Sequence, residues 1–291
     1  MTFFEVLIQL VSLGCVNGLG YALSAIGLTL IFGVMKVINF AHGEFYMLGA
    51  FVAYTLVASL GIHYIPALGL TVVIVAAIGM LCERLSVAPL RDRSPLTLLL
   101  ATLALSMILL NGAQMVWSAT PRRIPSSMEE AYIILGPIYL THQRVFIAIV
   151  AFIVIALLHL FLKRTTLGKL MRATAQDLDG AMLVGINVHR VHNLTFGIGC
   201  GMAALSGALV GATMMTYPYM GQQMVMKAFV VTILGGLGSV PGAILGGVFL
   251  GIVEALAGGF ISIEYKDVFG FSLIIMVLLL KPSGLLGAGK A

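Results

Sequence analysis

The chain has 291 residues, 60% of them hydrophobic and 9% charged, with a mean hydropathy of +1.09. Ordinary globular domains carry about 25% charge, and each membrane-spanning helix uses ~20 apolar residues, so this composition fills roughly six to nine spans and leaves no length for a soluble catalytic domain. A water-soluble enzyme and a disordered or fibrous chain are excluded; the +5 net charge, from 16 Lys and Arg against 11 Asp and Glu, reads as basic cytoplasmic loops and not as affinity for nucleic acid.

No basic residue precedes Lys36, and Glu5 is the only earlier charge. The opening segment therefore lacks the basic start of a cleavable signal and reads as a retained first helix. Stretches free of Asp, Glu, Lys and Arg mark the spans: residues 6–35, 45–82, 94–121, 145–162, 191–226, 228–254 apart from its final Glu254, and 268–280. The second is too long for one crossing and divides at residues 61–66, with Pro66 in the first turn of a new helix, where proline is tolerated. The stretch from Val191 breaks similarly near Tyr217, Pro218 and Tyr219. The expected architecture is an all-α polytopic membrane protein with about eight hydrophobic segments, forming a single domain over residues 1–291.

Two loops are strongly basic. Residues 83–93 carry Arg84, Arg91 and Arg93, and residues 163–190 carry Lys163, Arg164, Lys169, Arg172 and Arg190. The positive-inside bias puts both in the cytoplasm. The loop 120–144 and the N-terminus then face outside, although Arg122, Arg123 and Arg144 run against the bias. The side of the C-terminus stays open.

The run Gly235-Gly236-Leu237-Gly238-Ser239-Val240-Pro241-Gly242 interrupts an apolar segment. Glycine costs ~1 kcal/mol and proline ~3 kcal/mol inside a helix, so a broken or re-entrant helix is expected there, sheltered by protein or a water-filled cavity. A weaker echo lies in residues 27–33 leading into 37–44, and interrupted segments in both halves are a pointer to internally repeated transporters. Asn39 is placed to cap the second span, with substrate contact as the alternative. Glu44, Lys227 and Glu254 flank or enter apolar stretches, either as functional intramembrane charges or at the interface.

Other features are bland. Cys15, Cys82 and Cys200 are odd in number and far apart, which indicates no disulfide framework. Small-residue pairs recur at Gly14/Gly18, Gly197/Gly201, Gly207/Gly211, Gly242/Gly246 and Gly247/Gly251, a spacing that lets helices approach within this chain or against a partner subunit. Residues 284–290 match the spacing G-x-x-x-x-G-K, but Ala291 stands where a phosphate loop needs Ser or Thr. The six histidines are scattered, so no metal site and no cofactor are expected; His189 and His192 read as headgroup contacts at the cytoplasmic face.

The most informative segment is residues 165–193, long for a chain of short loops. Leu170, Met171, Thr174, Leu178, Ala181 and Met182 recur at steps of three and four beside charged Lys169, Arg172, Asp177 and Asp179. That pattern gives an amphipathic helix, with Gly180 and Gly185 in a turn before the next span. Its mixed charges favour docking into a groove of another protein over lying on lipid.

Residues 172–187 (Arg-Ala-Thr-Ala-Gln-Asp-Leu-Asp-Gly-Ala-Met-Leu-Val-Gly-Ile-Asn) resemble the cytoplasmic coupling loop of branched-chain amino-acid ABC transporter permeases. Residues 33–44 (Gly-Val-Met-Lys-Val-Ile-Asn-Phe-Ala-His-Gly-Glu), 233–243 (Ile-Leu-Gly-Gly-Leu-Gly-Ser-Val-Pro-Gly-Ala), 264–267 and 281–287 agree with the same family, nearly end to end, and look most like its H-type subunits. The resemblance implies an ABC importer permease fold in a bacterial inner membrane. It also implies a second permease subunit, two ATP-binding subunits inside and a periplasmic substrate-binding protein, with ATP hydrolysis outside this chain. The coupling loop would span residues 164–190, with Arg172, Ala175, Asp177, Gly180 and Gly185 meeting an ATPase. The translocation path would run near Asn39, His42, Glu44, Gly235, Gly236 and Gly238. Urea and short-amide permeases look similar, so the solute stays open between these and branched-chain amino acids. A gradient-driven secondary transporter is the rival from another class; it would want an ion relay and leaves the docking-like loop unexplained.

Overall fold

The computed structural model describes residues 2–126, 128, 131–281 and 284–286. The phosphate-loop spacing beyond Leu286, and Pro282 and Ser283 of the C-terminal family block, lie outside the described residues. Helices account for nearly all of the regular structure: α1 (Phe3–Met35), α2 (His42–Tyr54), α3 (Tyr64–Cys82), α4 (Pro95–Trp117), α5 (His142–Arg164), α6 (Thr166–Gln176), α7 (Leu178–Leu183), α8 (Val188–Val210), α9 (Met220–Gly235), α10 (Val240–Phe260) and α11 (Lys266–Leu280). One small hairpin joins β1 (Tyr132–Leu135) to β2 (Ile138–Thr141), antiparallel with Tyr132 opposite Thr141.

Local chemistry starts many of these helices. Ser94 accepts from Thr97 N–H at 3.3 Å, Thr141 from Arg144 N–H at 3.3 Å, Asn187 from Arg190 N–H at 3.0 Å and Ser239 from Gly242 N–H at 3.1 Å. Each side chain satisfies a first-turn donor that the helix itself cannot. Thr2 and Glu5 form a reciprocal capping box on α1. Asn39 does not cap α2: the N-cap is Ala41, and the Asn39 Oδ1 accepts from Ala41 N–H at 3.1 Å, folding a local turn one step ahead of the helix.

Six helical stretches are long and apolar enough to cross a membrane: Phe3–Met35, Tyr64–Leu90, Pro95–Trp117, His142–Arg164, Val188–Val210 and Val240–Phe260. Together they make this a multi-pass membrane protein. Helices α2, α9 and α11 are shorter apolar pieces, and a π-helical turn, Thr55–Ser59, extends α2. The expected interruption in residues 228–254 is a helix–turn–helix: α9 stops at Gly235, Gly236 and Gly238 take φ of +100° and +85°, and Ser239 caps α10. Glycine alone enters that left-handed region without a Cβ penalty.

The centre of the bundle is α1 against α8 and α10, and small residues make it possible. A Cβ on Gly18 would lie 2.6 Å from Gly247 O, one on Gly14 2.6 Å from Ile252 Cα, and one on Gly251 would overlap Gly14 O. The Gly14/Gly18 and Gly247/Gly251 pairs thus interlock with each other, inside this chain. Gly197 and Gly201 admit α3, and Gly207 admits Tyr46 of α2. Close backbone approach supplies dispersion contact where lipid offers no hydrophobic driving force between helices. By contrast α4 and α5 leave Met115, Leu100, Phe152 and Leu157 exposed, an apolar outer surface that lipid solvates.

Contacts at the helix ends give the bundle two poles. At one, the Gln9 side chain exchanges two hydrogen bonds with the backbone of Tyr139 in β2, at 2.8 and 2.7 Å. At the other, Arg91 Nη1 donates to His189 Nδ1 at 2.9 Å, so the two basic loops meet. Helix α11 ends at that second pole, where Leu285 and Leu286 N–H donate to the terminal carbonyls of α9, Leu234 and Gly235, at 2.8 and 3.1 Å. The last described residues therefore share a pole with the basic loops, which answers the C-terminal question that hydropathy left open.

Candidate functional site

Two places combine exposed or cavity-lining groups with defined geometry. The first is at the basic pole. Asp177 separates α6 from α7 and caps the latter, its Oδ1 accepting from Gly180 N–H at 3.0 Å. The single amphipathic helix expected over this segment is thus two helices with a break at Asp177. The predicted apolar stripe divides accordingly: Met171, Thr174 and Ala181 are buried, while Leu178 and Met182 are exposed, joined by Leu183 at 88% and Val184 at 77% exposure. Gly180 lies inside α7 and not in a turn; Gly185 ends it with φ +82°. Arg172 Nη1 donates to Leu162 O near the end of α5, and Ala175 packs against the core.

This pair rests on a braced floor. Glu83 is buried and accepts from Arg91 Nη2 at 2.5 Å and from Asn193 Nδ2 at 2.8 Å; Asn193 also donates to Met80 O at 2.7 Å. These bonds tie the end of α3 to the start of α8. Of the two histidines expected at headgroups, His189 stays exposed at this pole and only His192 is placed otherwise, inside the bundle. His189 accepts from Arg91, and His192 is 3% exposed.

The second place lies at mid-bundle, where α2 and α9 both begin. A cavity of about 450 Å³ is lined by Phe40, Glu44, Leu103, Ser106, Gln222, Gln223, Lys227 and Asp267, among others. A smaller one of about 160 Å³ shares Gln223 and Lys227 and adds Tyr21, Tyr46, Arg144 and Tyr217. Glu44 is 1% exposed; its Oε1 accepts from Ser106 Oγ–H at 3.0 Å, and Oε2 has no hydrogen-bond partner among the described residues.

Next to it, Lys227 Nζ donates to both Glu254 oxygens at 2.7 Å and pairs with Asp267 at 2.9 Å. Tyr21 OH donates to Glu254 Oε2 at 2.8 Å, and its ring centroid is 4.8 Å from Nζ. Sequence reasoning singled out Lys227 and Glu254 separately but did not join them, and it missed Tyr21, Ser106, Gln223 and Asp267. The available signal was one lone cation and one lone anion in neighbouring apolar segments, since isolated charges in lipid seek each other.

The remaining predicted path residues do not line this cavity. His42 is buried and its Nε2–H donates to Ser24 O at 2.9 Å. Asn39 is buried with its Nδ2 unpartnered among the described residues. A Cβ on Gly235 would overlap Gly242 of α10, and Gly238 lies beside Gly33, where a Cβ on Gly33 would stand 3.5 Å from Gly238 Cα. The two interruptions flagged in the sequence therefore touch. Among the described residues no group of three or more His, Cys, Asp or Glu is placed to hold a metal.

Comparison with known proteins adds the following. A family model described as "Branched-chain amino acid transport system / permease component" matches residues 11–278. The high-affinity branched-chain amino acid transport system permease protein LivH of Salmonella typhimurium is 38% identical over 94% of this chain and 93% of its own length. The corresponding protein BraD of Pseudomonas aeruginosa is 37% identical over 98% of this chain and 96% of its own. Among solved structures, PsaBC from Streptococcus pneumoniae in complex with Fab aligns with a TM-score of 0.49 at 15% identity, over 95% of this chain and 92% of that one.

Proposed function

The chain belongs to the family of branched-chain amino acid transport permeases, and from that premise we propose how its parts divide the work of an ATP-driven importer. It sits in a bacterial inner membrane and forms the translocation path with a second permease subunit. A periplasmic binding protein delivers branched-chain amino acids. Two separate ATP-binding subunits hydrolyse ATP, so this chain is itself no enzyme.

The observation that carries this reading is α7. A short helix at the basic pole presents Leu178, Met182, Leu183 and Val184 outward, beside loops whose charge marks the cytoplasmic side. Lipid does not account for them next to Asp177, Asp179 and Arg172; an apolar groove on a cytoplasmic ATPase does. Arg172, Ala175, Asp177, Gly180 and Gly185 shape this element: Asp177 caps and orients α7, Gly180 leaves room for that carboxylate, Gly185 turns the chain into α8, and Arg172 and Ala175 anchor α6 to the bundle. Movement of the ATPases would then be passed through α6 to the end of α5, and through α8 to the central helices α1 and α2.

The path runs through the mid-bundle cavity beside Glu44. Asn39 and His42 hold the start of α2 there, and Gly235, Gly236 and Gly238 let the α9–α10 turn pack against the end of α1. Opening to alternate sides requires only that nucleotide favour one arrangement over the other. The permeation site is therefore weak, and selectivity resides mainly in the binding protein.

The test is reconstitution of the co-purified complex in proteoliposomes. Leucine, isoleucine or valine with the binding protein stimulates ATP hydrolysis and is taken up, and Gly180→Trp with Asp177→Lys abolishes uptake while the permease still inserts. Uptake by the purified chain alone, driven by an ion gradient without nucleotide, would overturn the reading, as would stimulation by urea or short amides and not by amino acids.

A further inference from the structure

We infer that Glu44 is the anchor for the α-ammonium group of the transported amino acid, with Ser106 fixing its carboxylate at the wall of the mid-bundle cavity. The assignment rests on reading that cavity as part of the transport path. A buried carboxylate is costly unless cations or several donors surround it. Glu44 has one donor, Ser106, on Oε1; its Oε2 lies against the backbone of Gly221, where even a Cβ would come within 2.8 Å, and takes no hydrogen bond among the described residues.

Lys227 lines the same cavity, and it is already engaged by both oxygens of Glu254, by Asp267 and by Tyr21. Glu254 and Asp267 thus share Lys227, while Glu44 has no cationic partner among the described residues. A solute bearing an ammonium group supplies one; a neutral amide does not. The rest of the cavity suits the remainder of an apolar amino acid. Gln222 and Gln223 carry amide N–H donors for a solute carboxylate, and Phe40, Leu103 and Phe271 give apolar walls. Its volume, about 450 Å³, falls within the ~300–1,000 Å³ typical of small-molecule sites.

The decisive experiment uses the full reconstituted complex with Leu103→Cys in this chain, maleimide labelling at that position being read by mass spectrometry. Three ligands of matched apolar bulk are compared: leucine, 3-methylbutylamine, which keeps the ammonium, and 4-methylpentanoate, which lacks it. Leucine and the amine are expected to slow labelling at concentrations at least tenfold below those needed for the acid, as loss of a charge-assisted hydrogen bond implies. Equal protection by the acid would overturn the assignment. In the same labelling assay, Glu44→Gln should raise the leucine concentration needed for protection roughly tenfold or more, with Glu44→Asp retaining part of the wild-type affinity; unchanged protection in Glu44→Gln would equally sink it. If Glu44→Gln fails to assemble, the ligand series decides, because it leaves Glu44 intact. Failure of the wild-type complex to carry leucine at all would overturn the transport reading instead, a distinguishable result.

Discussion

Replacing Lys227 by methionine removes the cation from a largely buried charge cluster at mid-bundle, and the structure sets the size of the effect. Lys227 and Glu254 side chains are 15% and 7% exposed, and both carboxylate oxygens receive the ammonium at 2.7 Å. In Lys227→Met, Glu254 keeps only the Tyr21 hydroxyl, so a buried carboxylate is left without its counter-ion. Breaking one half of such a pair costs about 3–5 kcal/mol. Asp267 is half exposed and contributes under about 1 kcal/mol, as solvent screens it. At roughly 2 °C per kcal/mol for a chain this large, the melting temperature of the detergent-purified permease should fall by about 6–10 °C. Glu254→Leu alone should cost less, because Lys227 retains Asp267 and can reach toward the cavity. The double variant Lys227→Met with Glu254→Leu should recover most of the loss, since apolar replacement of a whole buried pair is close to neutral. Thermal unfolding of all four proteins gives the coupling energy directly. If the double variant simply sums the two single losses, the pair does not interact as described and the argument fails.

Four further outcomes follow from the backbone packing and capping. Gly207→Ala should destabilise by about 1–3 kcal/mol, because its Cβ would overlap Tyr46 O and push α8 from α2. Gly112→Ala in α4, where nothing lies within 4 Å, should instead stabilise by about 0.5–1 kcal/mol through helix propensity; thermal scans of the pair give opposite signs. Asp177→Ala should cost about 1 kcal/mol locally by deleting the α7 cap, seen as faster amide exchange in residues 178–184, while Asp177→Asn preserves protection. Gly185→Ala should cost about 1–2 kcal/mol, because φ is +82° there, with the same exchange measurement as its check.

Much of this protein is legible along the chain because membrane insertion is a local matter. Whether a stretch crosses lipid depends on its own average polarity and length, and which way it crosses depends on nearby Lys and Arg. Residues 235–242 announce their interruption for an equally local reason, since glycine and proline act on the backbone at their own position. The family blocks at 33–44, 172–187 and 233–243 carry the transporter identity for the same reason: each is a contiguous string. Asn39 shows the limit of such reasoning even nearby, because a cap depends on where the helix begins, and α2 starts three residues later.

Tertiary structure alone decided which distant groups meet. Tyr21, Lys227, Glu254 and Asp267 come from four helices, and no periodicity within one segment encodes that they converge. The apolar residues of 165–193 look like one stripe in sequence. Only the break at Asp177 sends Met171 and Ala181 inward while leaving Leu183 and Val184 facing out. The Glu44 carboxylate is likewise an ordinary first-turn acid until Ser106 and Gly221 close around it. Hydropathy averages over a helix, whereas an ion pair or a cavity is set by which faces of several helices turn toward one another, and that is fixed by close backbone packing at glycines such as Gly18, Gly207 and Gly247.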